Sequence, residues 1–130
     1  MILVDDDPAQ TEVVSEILTL EGMEVSCSAD VAEIDRLLGE SPDVVLLDLH
    51  GVDAPAVSEK VRNTPARPAL LVLSGDLKLA EHAKTLGADG WLAKPYDLED
   101  LLRAVQEAVS RRRGKSANTD GLGAPGMGPG

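Results

Sequence analysis

Four short apolar runs each end in a polar group, and those groups together have the chemistry to handle a divalent cation and a phosphoryl group. Ile2-Leu3-Val4 ends in Asp5, Asp6 and Asp7, and Val44-Val45-Leu46-Leu47 ends in Asp48. A third run, Ala69 to Leu73, ends in Ser74, and a fourth, Gly90 to Ala93, ends in Lys94 and Pro95. In open parallel sheets, ligand sites form outside the carboxyl ends of the strands. Carboxylates, a hydroxyl and an amine would thus meet on one rim. Two carboxylates about 4 Å apart repel by roughly 4 kcal/mol at an effective dielectric near 20. A hard dication relieves that repulsion, and Mg²⁺ accepts one or two carboxylates together with water and phosphate oxygens. An oriented Asp48 carboxylate could attack phosphorus and form an acyl phosphate. Lys94 would supply a fixed cation, and Ser74 a hydroxyl donor to another oxygen. Taken singly, each feature has an ordinary explanation: a helix cap for Asp5 to Asp7, a Ser-Gly turn at Ser74 and a solvated lysine at Lys94. Their joint placement at strand ends favours a site.

The elements that must position these groups alternate strand and helix five times. Pro8 suits the first turn of a helix whose face carries Val13, Val14, Ile17, Leu18 and Glu21, stopped at Gly22. Met23 to Cys27 alternates, as expected of a strand with one exposed face near a sheet edge. Asp30 caps a helix with Val31, Ile34, Leu37 and Leu38, ended by Gly39. The run Val44 to Leu47 does not alternate and is expected to be covered on both faces. Val57 and Val61 share a helical face between Pro55 and Pro65. Asp76 is expected to cap a helix bearing Leu77, Ala80, Ala83 and Leu86, stopped at Gly87. Asp97 caps the last helix, whose face is Leu98, Leu101, Leu102, Val105 and Val109, with Arg111 to Arg113 where cations suit the helix dipole. Such alternation implies an α/β fold with a parallel sheet and right-handed crossovers.

The chain has 130 residues, 43% of them hydrophobic, which matches one domain with one packed core. Residues 1–113 form the folded unit in this reading. The Gly- and Pro-rich stretch 114–130 reads as a flexible tail or linker. A net charge of −11 argues against direct nucleic-acid binding. Cys27, the single cysteine, permits no intramolecular disulfide and is expected to be partly buried on a strand; its solitude fits a cytoplasmic protein. Asp5 interrupts the first apolar stretch, so no signal peptide is expected. No run reaches the ~20 apolar residues of a membrane helix. His82, on a helix, reads as a solvated surface residue or part of a partner surface.

Residues 1 to 113 resemble the receiver domain of bacterial two-component response regulators. The resemblance rests on Ile2 to Pro8, Val44 to Asp48, Leu73-Ser74-Gly75, and Ala88 to Tyr96. It implies a flavodoxin-like (βα)5 fold with a five-stranded parallel sheet, order 2-1-3-4-5 as known for receiver proteins, and helices on both faces. By the same resemblance Asp48 is the phosphoacceptor, and Mg²⁺ is the cofactor, held by Asp5, Asp6, Asp48 and the His50 backbone carbonyl. Ser74 and Trp91 take the switch positions. Lys94 is the family's lysine, with Pro95 in a cis bond. Asp7 is a supporting group or cap.

The implied partners are a histidine kinase or phosphotransfer protein, and a downstream effector or output domain. The effector would be reached through helix four, strand five and helix five (about 76–86, 90–93 and 97–109), a surface that also serves homodimers. No membrane partner is implied. The chain departs from the family after Asp48, where a Met-Pro pair is missing and Gly51 is expected to loosen the loop. Trp91 is bulkier than the usual Tyr or Phe.

Those departures motivate an alternative, a receiver-like interaction module that no longer switches by phosphorylation. Enzyme readings fit less well. The Asp-x-Asp of Asp5 to Asp7 matches haloacid dehalogenase-type phosphatases, but Pro8-Ala9 does not follow their motif. Asp48-Leu49-His50 matches the start of a cobalamin-binding motif, but Asp53 stands where that motif has Gly. The expectation is a protein that is no enzyme beyond phosphoryl transfer to its own Asp48 and hydrolysis of the product.

Overall fold

The computed structural model describes residues 1–49 and 51–121. The strands are β1 (Ile2–Val4), β2 (Ser26–Ser28), β3 (Val44–Asp48), β4 (Ala69–Ser74) and β5 (Gly90–Ala93). They alternate with α1 (Pro8–Leu20), α2 (Val31–Leu38), α3 (Ala54–Asn63), α4 (Leu79–Leu86) and α5 (Leu98–Gly121). All strand pairs are parallel, in the order β2-β1-β3-β4-β5, the α/β topology expected. The continuous apolar runs of β3 and β4 are buried along their whole length. Parallel strands covered on both faces read as such runs because neither face meets water.

Successive side chains of a strand point to opposite faces, and the core divides accordingly. Val45, Leu47, Leu70 and Val72 pack with Ile34, Leu37, Val57, Val61, Leu79 and Ala83 of α2, α3 and α4. Val44, Leu46, Leu71 and Leu73 pack with Leu18 of α1 and Leu101, Val105 and Ala108 of α5. Each fully buried aliphatic side chain contributes about 1.5–3 kcal/mol through removal from water.

Four of the five helices, α1, α2, α3 and α5, start at a side-chain cap. Asp7 Oδ1 accepts the backbone N–H groups of Ala9 and Gln10, and Pro8 occupies the first turn. Asp30 Oδ1 accepts from Ala32 and Asp53 Oδ1 from Ala56. Asp97 Oδ1 accepts from Asp100 N–H, while Asp100 Oδ2 accepts from Asp97 N–H, a reciprocal box that opens α5.

Several elements differ from expectation. The second strand is Ser26–Ser28, later than Met23 to Cys27, because its register is set by pairing Ile2 with Ser26 and Val4 with Ser28. Cys27 lies on that strand but is exposed. Helix α4 begins at Leu79, with no side-chain cap at Lys78. Asp76 Oδ1 accepts the Lys78 N–H and so closes a turn ahead of the helix, leaving Leu77 fully exposed. The inward face is Leu79, Ala83 and Leu86. On α1 only Leu18 is fully buried, while Val13 and Ile17 are exposed. The last helix continues beyond 113 to Gly121; the rest of the expected tail, 122–130, lies outside the described residues.

Candidate functional site

Asp48 is the last residue of β3 and is 2% exposed. Asp5 follows β1, Ser74 ends β4, and both are 9% exposed. The register sets Asp48 beside Leu73 and Ser74 beside Ala93, so the chain leaves β3, β4 and β5 at one level. The Lys94 N–H donates to the Ser74 carbonyl (2.9 Å), and Leu49 N–H to the Leu73 carbonyl (3.2 Å), which extends the ladder to the rim. The Lys94–Pro95 peptide bond is cis, as the resemblance implied.

Asp5, Asp48, Ser74 and Lys94 line one cavity of about 870 Å³. The Lys94 ammonium donates to Asp48 Oδ2 across it. Asp7 also lines the cavity, and its backbone N–H donates to Asp5 Oδ1 (3.0 Å), so it is at once a helix cap and a support for Asp5. Ser74 Oγ accepts the Asp76 N–H (3.0 Å), an arrangement that leaves the hydroxyl proton available to donate.

The electrostatics follow from this crowding. Burial holds the Asp5 pKa above the usual carboxylate range, and the Asp48 charge adds to it. The Asp7 N–H and the Lys94 charge oppose that rise without cancelling it. Burial alone would lower the Lys94 pKa. The hydrogen bond to Asp48, with the charges of Asp48 and Asp5, outweighs it, and the ammonium is held above its ordinary value. Tyr96, half-buried nearby, is shifted upward chiefly by burial.

Asp6 does not line the cavity. It lies instead against Gly51, where an added Cβ would fall 1.7 Å from Asp6 Oδ2. Gly51 has φ +71°, so the residue expected to loosen the loop has a definite conformation that only glycine fits well. His50 lies outside the described residues. No group of three or more His, Cys, Asp or Glu side chains is gathered as a ready metal cage among the described residues. The nearby Asp5 and Asp48 carboxylates are nevertheless the hard oxygen donors that Mg²⁺ takes in ones and twos, so the donor set fits it.

Trp91 lies on β5, which pairs only with β4, and is 49% exposed. His82 is exposed on α4, as expected of a surface residue; it also lines the cavity with Thr85 and Leu86, and its Nε2 lies 3.7 Å from Asp76 Oδ2. Helical spacing from His82 to Thr85 and Leu86 was the signal for this, once α4 is started at Leu79. Asp89 was visible in the sequence only as part of a motif. It is buried; its Oδ2 accepts the Leu70 N–H (2.9 Å) and its own N–H donates to the Leu70 carbonyl (2.8 Å).

Residues 1–106 match the family model described as response regulator receiver domain. The chain is 34% identical over 119 residues to the regulatory protein VirG of Rhizobium radiobacter, an alignment covering 86% of this chain and 44% of VirG. The chain thus spans under half the length of that relative. A response regulator signal receiver domain from Bermanella marisrubri superposes with a TM-score of 0.73 at 29% identity, covering 83% of this chain and 95% of that one. The receiver domain of the sensor histidine kinase PA1611 from Pseudomonas aeruginosa PAO1, with magnesium coordinated in its active-site cleft, gives a TM-score of 0.72 at 24% identity, covering 84% and 95%. Among the described residues no helix is long and apolar enough to cross a membrane.

Proposed function

The chain belongs to the response regulator receiver domain family, and we propose that it is a phosphorylation switch whose phosphoacceptor is Asp48. The observation that carries this is the Lys94–Asp48 contact inside a cavity that Asp5 and Ser74 also line. Lys94 orients the Asp48 carboxylate for attack on the phosphorus of a donor. One carboxylate oxygen forms the new O–P bond as the donor's bond to phosphorus breaks, leaving an acyl phosphate on Asp48 and the donor's leaving group with its electron pair. Lys94 then pairs with a phosphoryl oxygen, and the Ser74 hydroxyl donates to another. Asp5, Asp6, Asp48 and the His50 carbonyl are the residues that would hold Mg²⁺, which when bound neutralises charge on the phosphoryl oxygens. Hydrolysis of the acyl phosphate by water returns the Asp48 carboxylate.

Phosphorylation replaces the single negative charge of the Asp48 carboxylate with a phosphoryl group carrying about −1.5 to −2. The proposed readout is a population shift of α4, β5 and the first turns of α5, with Ser74 and Trp91 as the moving parts. That surface would meet an effector, an output domain or a second copy. A histidine kinase or phosphotransfer protein would supply the phosphoryl group, in the cytoplasm. The test is labelling by acetyl phosphate. Wild type should take up label only with Mg²⁺, and Asp48→Asn should take up none. Undiminished label in Asp48→Asn would remove Asp48 as acceptor. No label in wild type would favour the interaction module that does not switch.

A further inference from the structure

The opposite end of the sheet carries a second polar cavity. It measures about 250 Å³ and lies where the chain enters β3 and β4, against the flank of α5. Arg67, Arg112 and Arg113 line it, with Asp43 as the carboxylate on its rim. β3 is five residues long, which sets this cavity roughly 15 Å from Asp48.

Two independent features mark it. First, the side chains of these arginines are in no ion pair among the described residues. Among the described residues the cations in ion pairs are Arg36, Lys60, His82, Lys94 and Arg103, and Asp43 pairs with none of the three. Arg112 Nε is buried without a hydrogen-bond partner among the described residues. A buried donor left unmade is costly, more so when charged. Second, both loops that frame the cavity are held in the left-handed region by residues other than glycine, Ser41 at φ +58° and Arg67 at φ +39°. These are the only two such residues described, and both face this one cavity. Strain of this kind tends to collect at ligand clamps.

We propose that this cavity is a binding site for a phosphoryl-type oxyanion. Guanidinium groups suit it because their planar donors pair with two oxygens at once. Three arginines against one carboxylate leave two formal positive charges. That balance matches a phosphate dianion better than a single carboxylate. An anion seated there joins the two loops to α5, the helix by which the chain leaves the folded unit.

The experiment is residue-resolved NMR on the full chain at about pH 7.5, where phosphate is largely dianionic. Inorganic phosphate is titrated against sodium chloride of matched ionic strength. The expected result is a saturable shift of the Arg112 Nε–H resonance and of the amides at 41–43 and 66–67, with acetate binding at least about tenfold more weakly. Arg112→Gln should weaken phosphate binding about tenfold or more. Arg113→Gln, on an exposed residue, should weaken it in the same direction and guards against a folding defect in the first variant. Shifts equal to those of chloride mean an adventitious ion only and overturn the proposal. So do shifts confined to residues around Lys94, unchanged affinity in both variants, or acetate binding as tightly as phosphate.

Discussion

Gly51 shows how one missing methyl group can shape a site. Its φ of +71° lies where a Cβ costs roughly 1–2 kcal/mol, and that Cβ would overlap the Asp6 carboxylate. Gly51→Ala should therefore destabilise the protein by about 1–2 kcal/mol in urea denaturation. It should also weaken Mg²⁺ binding about tenfold, as displaced supporting groups do at metal sites. Unchanged Mg²⁺ affinity would separate Asp6 from the metal. Asp5 makes the complementary prediction. Its pKa is raised in the folded chain above the 3.8 of a free side chain. The native state then holds the proton more tightly than the unfolded state, so Asp5 contributes stability below that ordinary value and loses it as pH rises through the folded pKa. At neutral pH the ionised group is a liability. Asp5→Asn, which can still accept the Asp7 N–H, should raise the melting temperature at pH 7 in EDTA. The gain should shrink toward pH 4, and the variant should lose the further rise that Mg²⁺ gives wild type. A melting temperature lowered at pH 7 would contradict this assignment.

At the scale of elements, what was legible in the chain was whatever local chemistry decides. The all-apolar runs of β3 and β4 announce strands with two covered faces, and Pro8, Gly22 and Gly87 punctuate helices where the structure starts or ends them. The joint placement of Asp5, Asp48, Ser74 and Lys94 was legible too, because parallel strands share one carboxyl edge. What distant partners decide was not. The register of β2 depends on β1, and alternation alone cannot choose between Met23 and Ser26 as its start. Asp76 closes a turn where a cap was expected because its carboxylate takes the N–H two residues on. The position of Asp6 against Gly51, away from the cavity, follows from the path of a loop. Asp89 belongs with these long-range facts, since it fastens the start of β4 to the residue before β5. Asp89→Ala should cost about 1.5–3 kcal/mol, the usual loss for a hydrogen bond to a charged group whose partner is left buried. A urea midpoint unchanged from wild type would show that Leu70 N–H finds another acceptor.

For the whole molecule, we propose that the folded unit ends near residue 113, on the contacts of the described residues. The core on the α1 and α5 side closes at Ala108, with Val109 packed partly against it. One turn on, Arg111 Nη1 donates to the Asp89 carbonyl (3.1 Å), the last hydrogen bond from α5 to the sheet among the described residues. The helix nevertheless runs to Gly121. At 1.5 Å per residue, the stretch after 113 adds roughly 12 Å of helix. Intrinsic propensity holds so short a segment weakly, and isolated helices of this length are marginal in water. A chain ending at Gly114 keeps Arg111, Arg112 and Arg113 with every buried side chain of the two cores. It should unfold at the same urea midpoint and with nearly the same slope, because the slope reports the surface exposed on unfolding. Its Mg²⁺ affinity should also match wild type, since Asp5, Asp48 and Lys94 lie at the far end of the sheet from the cut. A lowered midpoint would mean that residues after 114 contribute to the fold, and would move the boundary of the receiver unit from 113 toward the end of α5.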